Sequence, residues 1–312
     1  MKAIKVSEFG APEVLHLIEC DTPVCGEQDV LVKVAAAAIN PIDYKIREGS
    51  HLVCPMLTMP TGIGFDFSGE VIARGVAVTD LAVGDQVLGI AGFPTSPGTY
   101  QEQLVTPASA CIKAPDGVAL QELAGLPLAG LTAWQAVHRH GDIKAGQRVL
   151  IHAAAGGVGC FAVQLAKQTG AEVVVTASQP KHAMLQGLGA DICLDYRAAP
   201  FYEEMDPVDV VIDLVGGQTG IDSLKVLKPD GILVTVPSAT KDAVLAAAEA
   251  QQIEGRFFLM AYELDDLQQL LERVADQRLK IMVSGKLPLA EAALAHQQIE
   301  SGRVIGKLLL LP

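Results

Sequence analysis

Apolar and polar positions change rhythm twice along this chain. Up to about residue 110 the apolar residues come in short runs broken by glycine. Val30-Leu31-Val32-Lys33-Val34 predicts a strand, and Gly69-Glu70-Val71-Ile72 and Asp85-Gln86-Val87-Leu88-Gly89 predict two more. Gly75 and Gly84 punctuate them. A further strand opens at Gly98-Thr99-Tyr100 and runs through Glu102-Gln103-Leu104-Val105. Strands this short, with turns this frequent, predict an antiparallel, barrel-like β domain.

Near residue 120 the rhythm becomes helical. Residues 120–140 read as helix, interrupted around Pro127 and Gly130. From Gln147 strands and helices alternate. Strands are expected over 148–153, 172–177, 208–213 and 231–236, with a helix over 158–167 that Gly170 ends. The alanine-rich residues 243–250 are good helix formers. This alternation predicts a parallel sheet of βαβ units. From about Glu263 a mixed helix and strand pattern returns, and this tail is expected to pack back on the first domain. The chain shows no internal repeat and no low-complexity segment.

Composition sharpens the picture. A chain of 312 residues, half of them hydrophobic, is long enough for two cores. With only 4% aromatic residues, those cores are expected to be aliphatic. A net charge of −13 repels phosphate backbones and argues against a nucleic-acid partner. An anionic cofactor then needs a local positive field. Cys20, Cys25, Cys54, Cys111, Cys160 and Cys193 include no C-x-x-C pair and read as reduced thiols. Cys160 opens the helix after the glycine-rich turn and reads as structural. The opening residues turn polar at Ser7-Glu8, too early for a signal peptide. No apolar run approaches the roughly 18 residues that span a bilayer. The expectation is a cytoplasmic protein with no membrane partner.

The strongest local signal is Ile151-His152-Ala153-Ala154-Ala155-Gly156-Gly157-Val158-Gly159. Strand precedes it and helix follows, the setting a dinucleotide fingerprint needs. The spacing is A-x-G-x-x-G, with Ala154 first. Gly156 and Gly157 let backbone approach a pyrophosphate, and Gly159 lets the helix pack closely on the strand. The helix start, with Ala155 and Val158 beside the glycines, then holds the diphosphate. A glycine-rich turn without a ligand is the competing reading, and the complete strand–loop–helix–strand unit favours binding. An NAD site places Asp or Glu about 20 residues past the glycines. Here the second strand ends Thr176-Ala177-Ser178-Gln179-Pro180-Lys181-His182, without a carboxylate. Ser178 is suited to a 2′-phosphate and Lys181 to pairing with it, with Ala177 beside them. Tyr196 and Arg197, after the next strand, are expected on the adenosine side. This favours NADPH. Val215, Gly216 and Gly217 end a later parallel strand, where such sheets bind ligands, and Pro237-Ser238 ends the following one.

Several further segments occur together: Asn40-Pro41-Ile42-Asp43, Gly64-Phe65-Asp66-Phe67-Ser68-Gly69-Glu70-Val71, Val83-Gly84-Asp85-Gln86-Val87, Leu128-Ala129-Gly130-Leu131-Thr132-Ala133, Asp213-Leu214-Val215-Gly216-Gly217, and Gly302-Arg303 with Gly306-Lys307. In this order they resemble the quinone oxidoreductase branch of the medium-chain dehydrogenase/reductase family, over essentially the whole chain. The resemblance implies an α/β protein. A GroES-like β-rich catalytic domain (1–122 and 263–312) would be split around a Rossmann doubly wound parallel sheet (123–262). It implies that Asn40 lies near the nicotinamide and substrate, that Asp43 fixes the Asn40 loop, and that Thr132 approaches the nicotinamide ribose. Phe258 and Leu259, in Phe257-Phe258-Leu259, would cover the nicotinamide, with plain core as the competing reading. A homodimer joined through the Rossmann sheet is also implied, with 232–236 and 256–261 as candidate edges. Zinc-dependent members use a Cys, a Gly-His-Glu segment and a second Cys or Asp. Here Asn40 stands in the first slot, Phe65 in the His slot and Asp66 in the Glu slot. Neutral Asn and apolar Phe cannot build a tetrahedral N/S site, and the four cysteines of a structural zinc lobe are missing, so no metal is expected.

Without a Lewis acid, hydride addition to an activated acceptor is the easier reaction, because the developing enolate or hydroquinone charge is delocalised. The expected activity is hydride transfer from NADPH to a quinone or an α,β-unsaturated carbonyl. Tyr44 and Lys45 are the candidate proton donors beside Asn40. The apolar residues 52–60 are candidates to border the acceptor. Two alternatives stand beside this. One is a zinc-free reductase of another activated double bond, an acyl thioester or an enal, although no basic cluster for a CoA ester is evident. The other is a non-catalytic NADPH-binding protein.

Overall fold

The computed structural model describes residues 1–96, 98–203 and 205–312. It consists of two compact units, Met1–Ala129 with Tyr262–Pro312, and Gly130–Ala261. The first boundary falls inside the helix Pro127–Trp134 instead of before it. The cause is local: Leu128 donates its N–H to the buried Asp66 carboxylate at 2.9 Å, which ties the start of this helix to the first unit.

The first unit is built on the strand Asp29–Ala38, which pairs antiparallel with Asp66–Arg74, Gln103–Pro107 and Lys307–Leu311. Asp66–Arg74 continues to Gln86–Ile90 and then Cys111–Lys113. The tail therefore returns to this sheet: Lys307–Leu311 lies beside Asp29–Ala38, and Val283–Pro288 runs parallel to it. A separate hairpin pairs Lys2–Val6 with Leu15–Glu19. The core is aliphatic, with Val30, Val32, Val34, Val71, Val87 and Leu104 buried around Phe67. The strand expected from Gly98 begins only at Gln103. Gly98–Tyr100 instead turns back toward the Gly64 loop, whose carbonyl accepts from Gly98 and Thr99.

The second unit carries a parallel sheet in the order Ile192–Leu194, Glu172–Thr176, Arg148–Ile151, Val208–Asp213, Leu227–Thr235, Glu254–Phe257. Chain order reverses between Arg148–Ile151 and Val208–Asp213, the doubly wound arrangement whose switch point binds ligands beyond the C-terminal strand ends. Its core includes Leu150, Val174, Val211, Leu233 and Val244. Two expectations are corrected. Gly130 does not interrupt its helix, since a buried glycine costs a helix only about 1 kcal/mol. The helix instead runs from Pro127 to Trp134 and widens into a π-helical turn over Gln135–His140. The expected strand over 231–236 is Leu227–Thr235. It pairs on both sides, so it cannot be a sheet edge. Glu254–Phe257 is the edge. Among the described residues no helix is long and apolar enough to cross a membrane.

Candidate functional site

In the second unit the expected cofactor residues follow the C-terminal ends of successive parallel strands. The strand Arg148–Ile151 ends in a tight turn in which Ala153 takes a left-handed conformation (φ 47°). For an L-residue this stores roughly 1–3 kcal/mol of strain. Gly156 then starts the twelve-residue helix Gly157–Gln168, and no side chain caps it. Gly156 donates its own N–H to the Ala153 carbonyl at 2.9 Å. The first-turn N–H groups that follow, at Gly157 and Val158, have no side-chain cap, which is what an anion needs. Gly159 is sterically required: a Cβ there would stand 2.4 Å from the Ala153 carbonyl oxygen. A Cβ at Gly156 would meet only that same oxygen, at 3.3 Å, so the face toward a ligand is open. The chain thus offers a cradle that fits a dinucleotide pyrophosphate.

His152, buried behind this turn, has a role that its place in the sequence does not reveal. Its Nδ1 lies 2.8 Å from the Thr176 hydroxyl and its Nε2 2.9 Å from that of Ser223. Ser223 donates its own proton to the Thr219 carbonyl at 2.7 Å. Its oxygen must then accept from Nε2–H, leaving Nδ1 to accept from Thr176. Burial pushes the imidazole down to about 4, so it is neutral and ties three elements together under the cofactor loop.

At the end of Glu172–Thr176, Ala177 and Ser178 are nearly buried, and Ser178 precedes the short turn Gln179–Lys181. Tyr196 is exposed, with the Arg197 guanidinium 5.5 Å from its ring centre. Further along the same edge, the buried Asp213 carboxylate accepts from Val215 and Gly216 N–H at 2.9 and 2.7 Å, and from the Thr235 hydroxyl at 2.9 Å. It fixes the turn in which Gly216 adopts φ 75°. A Cβ on Gly216 would come within 2.1 Å of the Thr240 hydroxyl and 3.1 Å of Pro237, so the structure brings the Val215-Gly216 turn and Pro237 together. Phe258 is buried, its ring stacked on His140 at 4.2 Å, whereas Leu259 is 64% exposed. Thr132 is buried on its helix.

In the first unit Asn40 precedes the helix Pro41–Glu48 and is buried with Asp43, Asp66, Tyr100, His296 and Lys307. Asp43 accepts from Asn40 N–H at 2.8 Å and from the Tyr100 hydroxyl at 2.9 Å. It fixes the loop. Burial lifts its carboxyl to about 7. The Asn40 carboxamide is engaged on both sides. Its Nδ2 donates to Asp66 at 2.8 Å, and its Oδ1 accepts from Lys307. Lys307 also donates to the Ile39 carbonyl at 2.9 Å. Burial raises the Asp66 carboxyl and lowers the Lys307 ammonium, and each opposes the other's shift by its charge. Asn40 is therefore a fixed group held by a buried ion pair, not a free hydrogen-bonding side chain. Lys307 is the residue that sequence reasoning misses, since it shows there only as the end of a Gly-Lys segment.

Tyr44 and Lys45 follow on this helix, both half-buried. Burial, then the charges of Glu48 and Glu300, push the Tyr44 phenol up, and burial pushes the Lys45 ammonium down. Beside Lys45 lies His51, lowered by burial and by the Lys45 charge. His51, Leu52, Cys54, Pro55 and Phe9 line an open cavity of about 420 Å³. Phe65 and Asp66 are both fully buried. Among the described residues, no three His, Cys, Asp or Glu side chains are grouped so as to hold a metal ion.

Residues 26–116 match the family model of the alcohol dehydrogenase GroES-like domain, and residues 188–310 that of a zinc-binding dehydrogenase. A quinone oxidoreductase of Pseudomonas aeruginosa is 32% identical across all of this chain and 99% of its own length. The chain belongs to the quinone oxidoreductase branch of the medium-chain dehydrogenase/reductase family. The structure of the Coxiella burnetii quinone oxidoreductase matches this family member with a TM-score of 0.97 and 43% identity, covering 100% of this chain and 99% of that one. A chloroplastic NADPH-dependent alkenal/one oxidoreductase of Arabidopsis thaliana is 31% identical over 100% of the chain and 80% of its own.

Proposed function

We propose that this chain is an NADPH-dependent oxidoreductase that reduces quinones or α,β-unsaturated carbonyl compounds by hydride transfer, without a metal. The observation that carries the reading is the dinucleotide cradle: an uncapped helix start after a strained turn, with Gly159 required by contact, in a chain that matches quinone oxidoreductases over its whole length. NADPH, when bound, supplies the hydride. The chain's own residues do the rest. The helix start at Gly156–Val158 would hold the pyrophosphate, and Ser178, Lys181 and Tyr196 the 2′-phosphate end. Val215, Gly216, Pro237, Ser238 and Leu259 would line the nicotinamide end.

Lys45 is the favoured proton donor. A general acid works best with its pKa near the operating pH. Burial moves the Lys45 ammonium toward that range and the Tyr44 phenol away from it. Asn40, Asp43, Asp66 and Lys307 act as a rigid support for the start of the Lys45 helix. The cavity beside His51 and Leu52 would receive the apolar part of the acceptor. Metal independence is supported by the donor set, since Asn40 and Phe65 supply no zinc-binding atoms. The unpaired strand Glu254–Phe257 fits edge-to-edge homodimerisation, and six unbridged cysteines fit a reducing cytoplasm.

The test is NADPH oxidation, followed by nicotinamide absorbance, against quinones, enones and saturated ketones. Turnover of a quinone or enone that survives dialysis against EDTA is expected. Turnover confined to saturated ketones and abolished by EDTA would overturn the reading.

A further inference from the structure

We propose that Asp195 is a positioning residue for the 2′-phosphate of the cofactor, joining two recognition turns that the sheet itself does not join. The proposal rests on the NADPH reading. The strands Glu172–Thr176 and Ile192–Leu194 pair in parallel up to Thr176 and Leu194. One further ladder bond, Ala177 N–H to the Leu194 carbonyl at 3.0 Å, closes the pairing. Beyond it the chain makes two separate turns, 178–181 and 195–197. Among the described residues these turns are joined through one side chain. Asp195 Oδ2 accepts from Gln179 N–H at 3.3 Å, and Oδ1 accepts from Arg197 N–H at 3.0 Å.

What Asp195 ties together is chemically pointed. One turn carries Ser178 and Lys181, the other Tyr196 and Arg197. Neither the Lys181 ammonium nor the Arg197 guanidinium has an ion-pair partner among the described residues. Two such cations, a hydroxyl and a phenol at one corner suit a dianionic phosphate ester. A carboxylate in this corner is otherwise paradoxical, since it would repel that dianion. That repulsion remains, and under the proposal the alignment of the two turns outweighs it. Each carboxylate oxygen already accepts a backbone N–H. The Arg197 N–H bond first, with the Gln179 bond and the charges of His182 and Arg197, holds the carboxyl below its usual range. It is an ionised brace, not a ribose acceptor of the NAD type.

The test is calorimetric binding of adenosine 2′,5′-bisphosphate and of 5′-AMP, which differ only by the 2′-phosphate, to the wild type, Asp195→Ala and Asp195→Asn. Wild type is expected to bind the bisphosphate more tightly than 5′-AMP. Asp195→Ala is expected to weaken the bisphosphate about tenfold, as loss of charge-assisted bonds implies, and to leave 5′-AMP unchanged. Asp195→Asn, which keeps the shape and one acceptor oxygen, is expected to recover part of the loss. Equal weakening of both ligands, no weakening, or tighter binding of the bisphosphate by either variant would overturn the proposal. A wild type with no preference for the bisphosphate would instead sink the NADPH reading, and the proposal with it. Asp195 is half-exposed, so both variants should fold, and their melting temperatures check this.

Discussion

The Lys307 ammonium lies 3.6 Å from the Asp66 carboxylate, both buried, with the Asn40 carboxamide hydrogen-bonded to each. A buried pair is weak evidence for stability as such, because desolvation offsets the attraction, but breaking it leaves one charge stranded. Lys307→Met is expected to cost roughly 3–5 kcal/mol of unfolding free energy. Pairing it with Asp66→Asn removes both charges and should recover a large share. Urea denaturation of the two single variants and the double decides this. Losses that simply add would show that the pair is not coupled.

Gly159 is the sharpest steric test of the cofactor cradle. A methyl group there must displace the Ala153 carbonyl, 2.4 Å away, or shift the helix start proposed to receive the pyrophosphate. Gly159→Ala is expected to weaken NADPH by more than about tenfold, measured by quenching of Trp134 fluorescence or by calorimetry. Affinity close to wild type would mean that the cradle is not where the cofactor sits.

Much of the fold and of the cofactor cradle is legible in the sequence. The alternation from residue 147 onward encodes the parallel sheet. Gly159 is where the fingerprint puts the close helix–strand contact. What escapes a reading of the sequence depends on distance and burial. Lys307 meets Asn40 across 267 residues of sequence. His152 lies inside the fingerprint segment, yet nothing in its spacing shows that three elements meet on it. The fingerprint directs attention to an acidic residue at the end of the second parallel strand, whereas Asp195 follows the third and turns toward Gln179. The strand 227–235 has the apolar look of an edge candidate and the position of an interior one, because periodicity reports burial and not neighbours. Tyr44 and Lys45 are equivalent donors by residue type. Only their surroundings move the phenol and the ammonium in opposite directions.

Lys181→Ala is expected to raise the Michaelis constant for NADPH about tenfold and to leave that for NADH unchanged, since the contact proposed for Lys181 is to the 2′-phosphate alone. Parallel saturation curves with the two cofactors provide the check. Equal effects on both would place Lys181 outside the phosphate corner.

Stability should depend on pH through three buried groups. Burial lowers His152 to about 4 and His296 to about 3, from an ordinary value of 6.5. As the pH falls from 6.5 toward 4, the unfolded chain takes up protons that the folded chain refuses, so each histidine lowers stability by about 1.4 kcal/mol per pH unit. Asp43, raised from 3.8 to about 7, works the other way. Its folded form holds a proton that the unfolded form has lost, so stability rises as the pH falls from 7 toward 4. His152→Asn is expected to flatten the acid side of the melting-temperature profile, and Asp43→Asn to steepen it. The reverse pattern would mean that these groups are not buried as described.

The central claim is direct hydride transfer, and C4-deuterated NADPH tests it most simply. One turnover with an enone, prepared with deuterium on each face of the nicotinamide in turn, should place the label on the β-carbon of the product from one of the two cofactors. Oxidation should slow with that cofactor and not with the other. Label appearing only in water, or NADPH bound but never oxidised by any quinone or enone, would contradict the account and leave a cofactor-binding protein in its place.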